Sequence, residues 1–346
     1  VWLTAADGTL VRRATSGGAA TAAAGLPPDV PWVPGPTGEA PEPGAAPRPV
    51  ETVQVHGDGV VVVALGPPAA PRGTLVLVPR SVQGDDPFDV GVLTAVGQQA
   101  GLALERADRF DQKATVAHEL QHALLTTHLP HDDRFTVVTE YLPGVQALEV
   151  GGDWYDAFLL DDDVLAVAVG DVVGRGLHAA TAMGQLRSAV RAIAAPGLGP
   201  AALLTRLDTF VRRAGVGFMA TLAYAEVDLR TGVVRYACAG HLPPLRLGAD
   251  GSHEFLWHGR STPLGVGTGR TEASTTLDPQ DLLLLYTDGL VERRDRPLLD
   301  GLETLAQAGA QLRGGSVSDL VSGLLVHSVD ESDDVCVLVA GWTPRP

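Results

Sequence analysis

Cysteine, positive charge and long apolar runs are all scarce in this sequence. Its 346 residues include two cysteines, too few for a disulfide framework. Cys238 and Cys336 each sit in an apolar, strand-like run (Tyr236-Ala-Cys-Ala and Val335-Cys-Val-Leu-Val). There a thiol behaves as a small buried hydrophobe, and a reducing cytoplasm fits. Lysine and arginine number 25 against 41 aspartates and glutamates, a formal net charge of -16. That balance argues against a ligand reached through its phosphodiester backbone, so nucleic acid is not expected as a partner. No stretch of about 18 residues is apolar and free of breakers, and no basic segment precedes an apolar one at the N-terminus, so neither a membrane span nor a secretory signal is expected. The chain opens at Val1 rather than Met, which fits a piece of a longer protein.

What is present suits two packed domains: the hydrophobic fraction is 45% and the length exceeds one ordinary core. Residues 1–91 carry short β-rich runs (Val1-Trp-Leu-Thr, Thr9-Leu-Val, Gly59 to Ala64, Thr74 to Val78) around a Pro/Gly/Ala-rich stretch from about Gly25 to Pro49 that reads as a long loop. Over 92–129 the period changes. Val96, Ala100, Ala103, Ala107, Phe110, Ala114, Ala117 and Leu124 recur at spacings of three and four, with Gln121 in the one gap, until Pro130 ends the run. At 1.5 Å per residue such a helix runs roughly 55 Å, more than one small domain needs. A core helix followed by a second helix competes with a parallel coiled-coil connector that pairs two copies. The length favours the connector and a homodimer.

Residues 130–346 alternate strand-like runs with helical segments at about 178–195, 200–214, 302–312 and 317–329, an α+β pattern. Within them four aspartates share one context, each at a strand edge. Asp171 follows Val169-Gly170, Asp288 follows Tyr286-Thr287, Asp153 follows Val150 and two glycines, and Asp333 with Asp334 precedes the last strand. Singly, each is commonplace as a turn residue. If they converge, their charges cannot all persist without cations, because like charges raise one another's pKa. An all-oxygen shell favours Mg²⁺ or Mn²⁺ over zinc.

The words around these residues carry a resemblance. Val150-Gly-Gly-Asp-Trp-Tyr-Asp156, Gly170-Asp-Val-Val-Gly-Arg-Gly-Leu-His-Ala-Ala180, Ala239-Gly-His-Leu-Pro-Pro244, Tyr286-Thr-Asp-Gly-Leu-Val-Glu292 and Asp333-Asp-Val resemble, in order, the SpoIIE-like branch of the PPM (type 2C) phosphatases. The resemblance runs from about Leu124 to Trp342. It implies a β-sandwich flanked by helices and a centre of two divalent cations, Mn²⁺ or Mg²⁺. Asp153 and Asp171 would bind metal, the latter bridging, with the Val172 carbonyl as a further ligand. Asp288 and Asp333 complete the shell, and Asp334 could stand in for Asp333. The implied reaction is serine/threonine phosphoprotein hydrolysis by a metal-bound hydroxide attacking phosphorus in line. The implied substrate is a phosphorylated STAS-type anti-sigma factor antagonist. His241 reads as fixing a loop rather than as a general acid, and His178 as starting a helix. Arg175 stands where the family often has His or Lys, and Cys336 where it often has Thr or Ser.

The run Pro87-Phe-Asp-Val-Gly-Val-Leu-Thr-Ala-Val-Gly-Gln-Gln-Ala-Gly-Leu-Ala-Leu-Glu-Arg looks like the end of a GAF sensor domain. The expected organisation is a GAF-like domain over 1–91, a connector helix over 92–129 and a PPM-type domain over 130–346. Two rivals stand beside the protein phosphatase: a catalytically silent adaptor, which would have lost a metal aspartate, and a hydrolase of small phosphate esters, which would need a basic pocket.

Overall fold

The computed structural model describes residues 2–4, 10–12, 53–55, 61–66, 72–77, 89–124, 128–144, 151–267, 269–293, 295–327 and 333–344. The expected loop at 25–49 lies outside them. The chain divides after Gln112 into two units, Val1–Gln112 and Lys113–Pro346.

In the first unit, β1 (Trp2–Thr4), β2 (Leu10–Arg12), β3 (Val53–Val55), β4 (Val61–Leu65) and β5 (Gly73–Leu77) form an antiparallel sheet in the order β2-β1-β5-β4-β3. Helix α1 (Val90–Leu124) starts where the Asp89 carboxylate accepts the Gly91 and Val92 N–H groups at 2.7 and 3.1 Å, an N-cap of the usual kind. It then lies on the end of β4: Gly66 N–H donates to the Gly97 carbonyl at 3.0 Å, and a Cβ on Gly97 or Gly101 would overlap the backbone of Ala64 to Gly66. Val92, Val96, Ala103 and Phe110 are exposed. Their angular positions, at 100° per residue, put them on the face away from the two glycines. The side chains of the lower seam residues Ala114, Ala117 and Gln121 lie outside the described set.

The second unit is two sheets packed face to face and covered by helices, antiparallel throughout except where Val233–Ala239 pairs in parallel with Arg260–Ser261. One sheet holds β7 (Trp154–Asp161), β8 (Val164–Asp171), β9 (Thr221–Asp228), β10 (Val233–Ala239) and β13 (Arg260–Ser261), with β14 (Ala273–Thr276) also paired to β10. The other runs β12 (His253–Phe255), β11 (Leu245–Leu247), β15 (Leu282–Tyr286), β16 (Val335–Trp342) and β6 (Phe135–Leu142). Helices α2 (Leu177–Ile193) and α3 (Pro200–Ala214) cover the first sheet, and α4 (Leu298–Gln311) and α5 (Val317–His327) the second.

The period of two assigns the layers. In β8, Leu165, Val167 and Val169 enter the inter-sheet core with Leu283, Leu285 and Leu338, while Ala166 and Ala168 face α2 and α3. The small outer residues leave room for Met183, Leu186, Leu203 and Leu207, all buried to 1% exposure or less. Burying each such side chain is worth about 1.5–3 kcal/mol.

The helix expected at 302–312 begins four residues earlier, at Leu298, because Pro297 (φ -61°) already sets the chain for helix entry. Strand β7 was not among the expected strands. Asp156 lies inside it with 0% exposure, so the polar residue falls where the alternation calls for an apolar one.

Antiparallel pairing decides where the acidic residues go. β7 starts where β8 ends (Trp154 opposite Gly170), and β16 starts where β15 ends (Tyr286 opposite Val337). Asp153, Asp171, Asp288 and Asp333 therefore share one end of the sandwich.

Next to this layer, Asp208 of α3 and Arg270 form a buried bidentate ion pair at 2.7 and 2.6 Å, and Asp208 also accepts the Gly265 N–H at 2.9 Å. Removing one partner strands a buried charge. Asp208→Ala should cost about 3–5 kcal/mol and lower Tm by roughly 10 °C, whereas Asp208→Leu with Arg270→Met should recover most of that. Calorimetric melting checks both, and a double variant as unstable as the single one would mean that the polar contacts, not the stranded charge, carry the effect.

Candidate active site

Asp153, Asp171, Asp288, Asp333 and Asp334 line one open cleft of about 270 Å³, with the Val172 backbone and Arg175 in the same wall. Among the described residues no three carboxylates close on one point in metal-holding geometry. They face a shared space instead.

The cluster is electrostatically strained. Asp153 is 4% exposed, and its Oδ2 has no hydrogen-bond partner among the described residues. Burial, then the charges of Asp171, Asp288 and Asp334, pushes its carboxyl well up, against a hydrogen bond from Thr287 that favours the charged form. Asp171 is pushed up by burial and by Asp333 and Asp334, against a hydrogen bond with Asp153 that favours its charged form. Burial first, then Asp171 and Asp333, brings Asp288 up to about 6. A buried, unpartnered carboxylate oxygen among like charges fits a cation ligand. The donors are all oxygen, which suits a hard divalent ion. A carbonyl belongs to the set: a Cβ on Gly152 would fill the space beside the Val172 oxygen and the Asp171 carboxylate, so only glycine leaves that edge open.

Asp333 and Asp334, equivalent in the sequence, differ in place. Asp334 is 7% exposed, accepts the Gly144 N–H at 2.9 Å and is hydrogen-bonded by the Tyr141 hydroxyl. The Asp333 side chain is 54% exposed and meets Arg175 Nη2 at 2.7 Å. Both line the cleft, but Asp334 is tied to the loop at Gly144 while Asp333 is held at its exposed side by Arg175.

Sequence reasoning missed Thr287 and Tyr141 as site residues. Thr287, fully buried, accepts the Cys336 N–H at 2.9 Å while its hydroxyl faces Asp153. Its place inside the Tyr-Thr-Asp-Gly word was the available signal. Tyr141 carried none, since its strand gives no hint that Asp334 lies opposite. His178 is exposed on the first turn of α2 and does not line the cleft.

His241 is buried and makes two bonds. Its Nε2 lies 3.0 Å from the Tyr286 carbonyl, which can only accept, so Nε2 carries the proton; Nδ1, 2.7 Å away, accepts from the Thr221 hydroxyl. Thr221 pairs with Asp171 across β8 and β9, and Tyr286 lies two residues before Asp288. The ring thus ties the two sheets together directly behind the acidic wall. Burial brings its pKa down to about 4. The unfolded chain, near 6.5, binds the proton first as pH falls, so this residue's stabilisation is complete above about 6.5 and is lost on the way to about 4. The stability gap between wild type and His241→Asn in urea unfolding should therefore shrink by roughly 3 kcal/mol between pH 7 and pH 4. A constant gap would mean that the ring is not held neutral.

With this geometry in view, comparison with known proteins is informative. The family described as "Stage II sporulation protein E (SpoIIE)" matches residues 161–343. Protein IcfG of Synechocystis is 29% identical over 205 residues, covering 51% of this chain and 32% of that protein. Phosphoserine phosphatase RsbU of Bacillus subtilis is 25% identical, covering 52% of this chain and 53% of that one. This chain thus spans about a third to a half of these two curated relatives. The crystal structure of the RsbU and RsbW domains of Rv1364c from Mycobacterium tuberculosis superposes with a TM-score of 0.58 at 35% identity, over 63% of this chain and 64% of that one. The matched stretch takes in β8, β15, β16 and the aspartates they carry, and it amounts to more than half of the sequence: the chain belongs to the SpoIIE family of PPM-type phosphatase domains.

Proposed function

We propose that this protein hydrolyses phosphoserine or phosphothreonine in another protein, with Asp153, Asp171, Asp288 and Asp333 holding two divalent cations, Mn²⁺ or Mg²⁺, aided by the Val172 carbonyl. The observation that carries the reading is the cleft walled by five carboxylates, one of them buried with an unpaired oxygen. Cations bound there supply charge neutralisation and a lowered pKa for water. The chain's residues do the rest. Asp153 and Asp171, both pushed up by burial and neighbouring charge, would hold the cations in their charged forms. Thr287 keeps Asp153 aimed by bonding it from one side and the Cys336 backbone from the other. Asp333 is better supported as the last ligand than Asp334, whose carboxylate is already engaged by Gly144 and Tyr141. Neither cysteine suits a nucleophile: both are buried, and burial pushes the Cys238 thiol up to about 12.

The proposed substrate is a phosphorylated STAS-type anti-sigma factor antagonist, whose dephosphorylation would release a sigma factor. Its support is the likeness to RsbU, named a phosphoserine phosphatase. Two buried free thiols fit the cytoplasm, and among the described residues no helix is long and apolar enough to cross a membrane. We further propose the division into a GAF-like domain over 1–91, a connector over 92–129 and a phosphatase domain over 130–346, paired into a homodimer. Support comes from the unbroken helix Val90–Leu124 and the exposed stripe Val92, Val96, Ala103 and Phe110 on it.

Hydrolysis of p-nitrophenyl phosphate and of a phosphoserine peptide should require Mn²⁺ or Mg²⁺. Asp171→Asn and Asp288→Asn should each lower kcat/KM by more than about 100-fold, beyond what losing a partner that merely orients a ligand costs. Folded wild type without turnover in any metal would favour the silent adaptor, and activity surviving both changes would refute the site. In sedimentation, Val96→Glu with Phe110→Glu should shift dimer to monomer, because it puts like charges into the seam. An unshifted dimer would place the contact elsewhere.

A further inference from the structure

Cations answer the charge of the carboxylates, but the phosphoryl group is itself a dianion and must be held beside them. Among the described residues lining the cleft, Arg175 is the one cationic side chain. It lies on the tight loop between Asp171 and α2, flanked by Gly174 (φ 101°) and Gly176 (φ 84°), left-handed positions that turn the backbone sharply on both sides of it. Its guanidinium meets Asp333 Oδ1 at 2.7 Å, and that oxygen also accepts the Asp334 N–H at 2.9 Å. The pair is open to water, with side-chain exposures of 41% and 54%. Such a pair is held weakly and is easily exchanged.

We propose that Arg175 is a substrate-binding residue that exchanges partners: it holds Asp333 while the cleft is free of cations, and it grips the phosphoryl oxygens once Asp333 has turned to a cation. This rests on the reading of the cleft given above and assigns a role that the five carboxylates leave unfilled. A guanidinium presents a planar fork of N–H donors that matches two phosphoryl oxygens at once, which an ammonium cannot do. Asp333 and the guanidinium share the cleft wall with Asp171 and Asp288, so both partners of the exchange lie in one cleft. The exchange also explains why so exposed a carboxylate has a partner at all in a site otherwise short of positive charge. It couples substrate grip to metal loading, since Asp333 Oδ1 already accepts from the guanidinium and from the Asp334 N–H, and a cation drawing on that oxygen would compete with Arg175.

The two halves of the exchange separate in Arg175→Gln, which keeps a polar chain and loses the charge. Mn²⁺ affinity, from calorimetric titration of EDTA-stripped protein, should be unchanged or up to about fivefold tighter, because a competitor for Asp333 is gone. Competitive inhibition by inorganic phosphate in the Mn²⁺-loaded protein should weaken by about 10- to 100-fold, the scale of a hydrogen bond to a charged group. Arg175→Lys should recover part of that loss, having the charge without the fork. Phosphate inhibition within twofold of wild type would overturn the proposal, as would Mn²⁺ binding weakened in parallel, which would make Arg175 a prop of the metal site. Wild type that binds no Mn²⁺ would remove the proposed function first and this inference with it.

Discussion

Repulsion among like charges at one end of a β-sandwich is the constraint around which the rest of the molecule is arranged. Five carboxylates face one cleft, and burial raises the pKa of Asp153, Asp171 and Asp288 beyond what neighbouring charge alone would do. A protein selected only for stability would replace such a group with apolar residues or disperse it. Part of this charge is answered within the chain: Thr287 bonds Asp153, and Arg175 pairs with Asp333 at 2.7 Å.

Holding that arrangement requires rigidity immediately behind it. Thr287 locks the ends of β15 and β16 together: its N–H donates to the Cys336 carbonyl at 3.0 Å, and its side-chain oxygen accepts the Cys336 N–H at 2.9 Å. His241 spans the two sheets at the same level, and its neutrality follows from burial between a carbonyl and a hydroxyl. A charged ring there would add a positive group close to the cleft but would leave the Thr221 hydroxyl without its acceptor. The cleft draws its negative charge from the wall and its stiffness from uncharged groups.

How legible this was depends on which contacts were local. Asp153, Asp171 and Asp288 could be read because each is announced by glycine beside it at the end of an apolar run, and antiparallel pairing brings such ends together. The α+β layering was equally open, since β8 through β10 are apolar on both faces and the intervening helices show a period near 3.6. Asp333 and Asp334 could not be told apart, because their difference lies in Gly144 and Tyr141, some 190 residues away. Strand β7 escaped for a related reason. Asp156 breaks its alternation, and Arg191, 35 residues on in α2, helps to make a buried carboxylate tolerable there through bonds of 2.6 Å, beside the Ala157 N–H at 2.9 Å. Where the fold depends on long-range pairing of charge, local pattern misleads.

That same pair bears on how α2 can move. Its last turn is fastened to β7 by Arg191 on Asp156, with the guanidinium also resting 4.9 Å from the Phe158 ring centre. Its first residue, Leu177, follows directly on the loop that carries Asp171, Val172 and Arg175. Between these ends Gly184 faces Leu124, the last residue of α1, which packs into the cluster beneath α2. A helix fixed at its C-terminal end and pressed near its middle moves most at its N-terminal end, where the cleft residues begin. Close-packed interiors shift as units rather than deform locally. Met183 and Leu186 of α2 are buried in the cluster on which Leu124 packs, so the helix that begins beside the cleft is held by packing along its length as well as by Arg191.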